Sequence, residues 1–388
     1  MKSGYKRIML LFMVLVLVLG GCAPAATPAP AATEAPAAAV PATEAAAPVE
    51  APAEATEASK VIEVPEVYAW PTDGEVTMVD TTSYKKEGPY SIGFSNCSAS
   101  NAWATLYVET AKWEASKHPE IKELNITDAG DSPEKQLSDI EDLLAKGVDI
   151  LIVRPCTADA GVPAMEKAKE MGVPVLISNR GSNFKDFVSQ QATNMIDLGH
   201  NQGVWLAEQL PKGGNIVSME GTSGSAPQRE RYEGAMTVLA KYASINVVGR
   251  VQANWSRDKA KSAMENFLQS GEIAGVLAQS GAMSAGVMEA ITEAGLDPCG
   301  IPVTGDDYNG YMKMVKTNNC GMITTNPTWC GGASVLAAVM TLNGQEIPRD
   351  WWLPTKAYTA ETIDEVVYMD KSDEWYPNIL PADWVVGQ

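Results

Sequence analysis

The strongest constraint on this chain is a pattern that it uses twice. Residues 149–181 (DILIVRPCTADAGVPAMEKAKEMGVPVLISNRG) and 274–310 (AGVLAQSGAMSAGVMEAITEAGLDPCGIPVTGDDYNG) share one order of parts. Each has an apolar strand, a small polar loop, an Ala-Gly-Val step inside a helical stretch, a helix-ending glycine and a Pro-Val pair opening a second strand. Unbroken β-branched runs separated by helical stretches require β-α-β crossovers, which are right-handed and build a parallel sheet buried on both faces. Superposing the two copies sets Asn179-Arg180 against Asp306-Asp307.

The alternation extends to either side of both copies. Strands are expected at 90–95, 123–128, 149–154 and 173–178, with helices starting near 102 and spanning 133–146 and 158–171. A second series follows, with strands at 214–219, 246–252 and 274–277 and helices over 230–241, over 258–270 and up to 295. The fold class is therefore α/β, with two Rossmann-like doubly wound parallel-sheet lobes. Open parallel sheets bind ligands outside the carboxyl ends of their strands. If two such ends face each other, Asn179-Arg180 and Asp306-Asp307 become opposite walls of one cleft.

The segment ahead of the lobes is of another kind. Residues 1–22 place Lys2, Lys6 and Arg7 before an apolar run and close on Leu-Gly-Gly-Cys22, the layout of an export signal. That ending resembles a bacterial lipoprotein box, which makes Cys22 the expected lipidation site and the lipid the expected membrane anchor. From Ala23 to about Ser59 the chain is almost entirely Ala, Pro, Thr and Glu, too poor in apolar groups to offset the entropy of ordering. Residues 23–88 are read as a tether with an extended lead-in. A formal net charge of −19, made more negative by loss of the three signal cations, excludes nucleic acid as a partner. With two histidines and no C-x-x-C, no metal, cofactor or catalytic group is expected.

Three segments, in their order and spacing, resemble the sugar-binding branch of the type I periplasmic binding proteins, the ribose-, galactose- and allose-binding group of ABC importers. They are the strand-Asn-Arg stretch at 176–181, GTSGSAPQRERYEG at 221–234 and VTGDDY at 303–308. The likeness covers about residues 89–360. It implies a periplasmic binding protein-like I fold whose lobes are joined by a three-stranded hinge, with crossings near 191–194, 325–326 and 353–355. The N-terminal lobe then comprises 89–193 with 326–354, and the C-terminal lobe and tail 194–325 with 355–388. Related repressors begin with a DNA-binding helix-turn-helix, where this chain has its export segment.

A sugar presents hydroxyls at its edge and C–H groups on its faces, so a site needs planar charged or amide forks together with aromatic rings. Asn179 and Arg180 supply forks on one wall, and Asp307, with Asp306 beside it, the acceptor on the other. The resemblance implies ligand contact for Asn101, Trp103, Trp255 and Arg229, while Arg231 is expected to face elsewhere. Where the family carries Asn-Asp after the strand AGVLAQ this chain has Ser280-Gly281, so Ser280 joins the set with a shorter reach and the pocket there is larger or wetter. A family glutamine falls on Thr325 or Asn326. The loop GTSGS lacks the Lys-Ser/Thr of a phosphate-binding loop.

Cys97 and Cys156 end strands expected to be neighbours, and Cys299 and Cys320 start another such pair, so two disulfides are expected, leaving Cys330 a buried thiol. The tail 364–388 is expected to cover apolar surface on one lobe. Together these readings imply an exported, lipid-anchored, monomeric receptor that captures a neutral hexose or pentose and docks on an ABC permease. A sensory protein for a polyol or an autoinducer-2-like furanose is the alternative. An enzyme acting on carbohydrate is disfavoured, because adjacent Asp306 and Asp307 cannot flank a glycosidic bond.

Overall fold

The computed structural model describes residues 61–70 and 75–385. The export segment, Cys22 and the Ala/Pro-rich stretch lie outside the described residues. No helix among the described residues is long and apolar enough to cross a membrane.

The first lobe is built on a six-stranded sheet in the order Asp350–Trp352, Ser189–Ala192, Val175–Ser178, Ile150–Arg154, Tyr90–Asn96, Ile121–Asp128, all parallel. Strand periodicity sends successive side chains to opposite faces. Ile150, Ile152 and Leu176 accordingly pack on one side with Tyr107 and Leu336. Leu151, Val153, Val175 and Ile177 pack on the other with Ile140, Leu143 and Met165. Both faces are covered by helices, and for that reason these strands read as unbroken apolar runs.

The second lobe repeats the plan. Ile245–Gln252, Gly214–Glu220 and Gly275–Ala278 form one parallel set, and Thr304–Asp306, Met322–Thr324 and Ala357–Thr359 another. A parallel bridge from Val276 to Val303 joins the two sets. Val175–Ser178 and Thr304–Asp306 thus hold the same place in their sheets, as the sequence repeat requires. The symmetry ends at the last strand: Asp350–Trp352 runs parallel to its neighbour and Ala357–Thr359 antiparallel. The chain passes between the sheets after Ala192, after Thr324 and between Trp352 and Ala357.

Most element bounds lie close to those expected. The helix expected over 158–171 is Val162–Glu170, because Gly161 at φ 73° and a proline in the first turn fix a later start. The helix expected over 230–241 is Ala226–Leu239, again with proline in the first turn. This earlier start resets which faces Arg229 and Arg231 present.

Two disulfides are present, Cys97–Cys156 and Cys299–Cys320, with Cα separations of 4.8 and 5.6 Å, and Cys330 is a buried thiol. Part of the expected lead-in lies against the first lobe: Tyr68 is fully buried, donates to Glu114 Oε2 at 2.8 Å and accepts from Trp351 Nε1 at 2.7 Å.

Candidate functional site

A cavity of about 350 Å³ lies at the carboxyl ends of strands from both lobes. Arg154 closes one strand, Asn179 and Arg180 follow the next, and Asp306 ends the equivalent strand opposite. Gly181 and Thr157 of the first lobe approach Ala226, Glu230 and Gly224 of the second, so the lobes meet at the rim. Another depression, of about 290 Å³ beside Cys299, Val303 and Gly321, sits at the amino ends of its strands, away from the loops that converge on a ligand.

One indole lines the cavity from each lobe. Trp103 enters on the first turn of helix Ala102–Ser116, whose N-cap is Asn101: its side-chain oxygen accepts from Ala104 N–H at 2.9 Å. Trp103 donates from Nε1 to Asn326 O at 2.7 Å and stacks on Tyr107 at 5.5 Å between ring centroids, 16° from parallel. Trp255 follows strand Ile245–Gln252 across two residues in left-handed backbone, Asn254 at φ 54° and Trp255 itself at φ 62°. Side chains rarely adopt that conformation, and Asn179, at φ 61°, does the same on the opposite wall. Such strain persists only where surrounding structure over-determines it. For Trp255 the fit includes Gly221, where a Cβ would fall 1.8 Å from indole Cζ2.

The edge groups follow the strands. Arg154, almost fully buried, donates to Asn179 Oδ1 at 3.2 Å, Asn96 Oδ1 at 3.1 Å and Ser98 O at 2.9 Å, with its guanidinium 5.3 Å from the Trp103 ring. The Arg180 guanidinium makes one hydrogen bond among the described residues, Nη1 to Pro155 O at 3.3 Å. Burial first, and then the charge of Arg154, push Arg180 down to about 9. On the second lobe Arg231 pairs with Asp306 Oδ2 at 3.1 Å, donates to Gln279 O, and stands 5.5 Å from the Trp255 ring. Asp306 Oδ1 accepts from Gly281 N–H at 2.6 Å, at the start of helix Gly281–Glu293. Burial raises the pKa of Asp306, against the opposing pull of Arg231.

Of the residues expected in the cleft, Asn101, Trp103, Asn179, Arg180, Trp255, Ser280, Asp306 and Asn326 line the cavity. Asn326 does so rather than Thr325, whose Oγ1 accepts from Lys356 N–H at 2.8 Å. Two expectations change. Arg229 is half exposed outside the cavity, paired with Glu230 at 3.0 Å and Glu233 at 3.9 Å, and Arg231, expected to face elsewhere, takes its place. Two positions along a helix turn a side chain by about 200°, so these arginines cannot share a face. Asp307, expected to be the principal acceptor, is buried off the cavity surface with Oδ1 unpartnered, while Asp306 lines the cavity. The pKa of Asp307 is raised by burial and then by the charge of Asp306.

Arg154, Glu374 and Tyr376 line the wall as well. Arg154 carries a signal in the sequence, because Val-Arg-Pro closes its apolar strand in the same manner as Ser-Asn-Arg closes the next. Glu374 and Tyr376 come from the tail, which therefore does more than cover one lobe. Asn309 Nδ2 ties the tail to the second lobe through Tyr368 O at 2.8 Å. Pro377 O then accepts from Thr328 Oγ1 at 3.1 Å, and Trp384 Nε1 donates to Glu109 Oε2 of the first lobe at 3.1 Å.

Asn179 Nδ2, Trp255 Nε1 and Ser280 Oγ, all on lining residues, are buried without a partner among the described residues. Buried polar groups are nearly always paired, so a cluster of unpaired ones around a cavity is built for a polar guest. Two α/β lobes closing such a cavity between their strand ends define the class: a bilobal ligand clamp. Residues 92–346 match the model of the periplasmic binding protein domain, and the chain belongs to that family. It is 30% identical over 280 residues to the ribose import binding protein of Bacillus subtilis (strain 168), covering 71% of this chain and 89% of that protein. It is also 30% identical over 249 residues to the xylitol-binding protein of Mycolicibacterium smegmatis, covering 63% of this chain and 71% of the other. Among solved structures, an ABC transporter solute binding protein from Bacillus halodurans C-125 with bound myo-inositol superposes with a TM-score of 0.67 at 25% identity, over 72% of this chain and 98% of that one. Family membership places the protein outside the cytoplasm.

Proposed function

We propose that this chain is the ligand-capturing receptor of an ABC importer and binds a monosaccharide or polyol between its lobes without transforming it. The observation that carries this reading is the cavity with one indole from each lobe and guanidinium, amide and carboxylate groups around its edge. Rings serve the C–H faces of a sugar and forks serve its hydroxyls. The ribose-, xylitol- and myo-inositol-binding relatives support the substrate class. In this reading Asn101, Trp103, Asn179, Arg180, Trp255, Ser280, Asp306 and Asn326 touch the ligand, joined by Arg154, Arg231 and Tyr376. The ligand bridges residues 89–193 with 326–354 and residues 194–325 with 355–388, favouring the closed state by its greater affinity for it. Lipidation at Cys22 holds the receptor at the membrane on its Ala/Pro-rich tether.

A thermal-shift panel of sugars and polyols tests the reading. A ligand at about 100 times its Kd adds roughly 2.7 kcal/mol of stability, an upward shift of several degrees. If no sugar or polyol moves the melting point while an amino acid or nucleoside does, the substrate class is wrong. Ligand recovered chemically altered would turn the receptor into an enzyme. Retention of Cys22→Ser in the membrane fraction would remove the lipid anchor.

A further inference from the structure

We propose that the captured sugar carries an oxyanion, a carboxylate or a phosphate ester, held between the guanidinium groups of Arg154 and Arg180. The inference rests on the sugar-receptor reading above and departs from the neutral ligand expected from sequence.

The cavity holds four arginines of two kinds. Arg231 and Arg257, on the second lobe, are each paired with a carboxylate, Asp306 and Glu289 respectively. Arg154 and Arg180, on the first lobe, are more deeply buried than most surface cations ever are, at 4% and 6% exposure, and neither has a carboxylate within ion-pair reach among the described residues. The acceptors of Arg154 are all neutral, and Arg180 has the single carbonyl of Pro155. Asp128 and Asp131 exert the nearest opposing charge, but both are solvent-exposed and engaged elsewhere. Asp128 accepts from Ala99 N–H at 2.9 Å and Gly130 N–H at 2.8 Å, and Asp131 from Ser100 Oγ at 3.4 Å.

Two neighbouring buried cations without a countercharge are costly to keep. Sugar hydroxyls would satisfy the free N–H groups of Arg180 yet leave both charges standing. An oxyanion does both, and its paired oxygens match the rigid guanidinium fork. The opposite wall fixes the orientation. Asp306 there repels an oxyanion and accepts hydroxyls, while Ser280 offers a further unpaired group to the same edge. The ligand is therefore read with its acid toward Arg154 and Arg180 and its hydroxyl edge toward Asp306, Arg231 and Ser280. A cavity of about 350 Å³ admits a hexose-sized acid.

Calorimetric titration of the full chain with matched pairs decides the matter: galactose with galacturonate, glucose with glucuronate and with glucose 6-phosphate, ribose with ribose 5-phosphate. In at least one pair the charged member is expected to bind about tenfold tighter or more, and the carboxylate and phosphate arms identify which oxyanion the site takes. Arg154→Gln and Arg180→Gln should bring that ratio close to one, while Arg229→Gln, outside the cavity, should leave it unchanged. Should either cavity variant fail to fold, the wild-type ratio still decides. Neutral members binding as tightly as their acids in every pair would overturn the oxyanion and leave the sugar receptor standing. No binding by any member of the panel would remove the receptor reading and this inference with it.

Discussion

Arg229 and Arg231 stand two residues apart and should respond to the same substitution in opposite ways. Arg231 is 2% exposed and bound to Asp306, itself 5% exposed. Arg231→Gln leaves Asp306 with the Gly281 N–H as its remaining hydrogen bond and no countercharge. Breaking a buried pair by removing one partner costs about 3–5 kcal/mol. With an unfolding entropy of about 2.1 cal/mol/K per residue, a body of roughly 300 residues loses about 0.6 kcal/mol per degree, so the melting point should fall by about 5–8 °C. Arg229, 49% exposed, holds only surface pairs worth about 0–1 kcal/mol, so Arg229→Gln should cost less than about 2 °C. Adding Asp306→Asn to Arg231→Gln removes the orphaned charge and should recover part of the loss, a coupling of about 0.5–3 kcal/mol. Differential scanning calorimetry on the ligand-free protein measures all three. Equal shifts for the two arginines, or a double variant whose loss is the sum of the single ones, would refute the buried-pair argument.

Two further outcomes are expected. Gly221→Ala places a methyl group where the Trp255 indole lies, so the ring must turn; stability should fall by about 1–3 kcal/mol and affinity for the best sugar several-fold, and unchanged affinity by calorimetry would deny Trp255 a stacking role. Asp307 has a folded-state pKa raised above its ordinary 3.8, by burial and then by Asp306, so its contribution is complete below about pH 4 and lost as pH rises through the folded value. Asp307→Asn should therefore raise the melting point progressively more as pH increases above 4, and a benefit independent of pH would show that Asp307 does not titrate in this way.

How much of the site could be read from sequence depended on distance along the chain. Asn179, Arg180 and Asp306 are legible because each directly follows or ends an apolar strand whose carboxyl end must face the cleft, whereas Ser280 enters through the family resemblance. Arg154 obeys the same rule and was accessible by the same means. Tyr376 and Glu374 were not, since no local pattern indicates that a tail returns across the hinge.

The periodicities of the chain, with the 149–181 and 274–310 repeat, are local properties, and they determined by themselves the order of strands and helices, the two-lobed plan and the wall on which each loop lies, while both disulfides, expected from neighbouring strands, are closed by the fold. Tertiary structure decided between neighbours: Arg231 over Arg229, Asp306 over Asp307, Asn326 over Thr325. One residue along a strand reverses a side chain and two along a helix nearly do, so facing depends on a phase that start positions and packing set. Packing also decided that Arg154 and Arg180 should be buried side by side with no carboxylate paired to either among the described residues, a relation between distant strand ends that no stretch of the sequence contains.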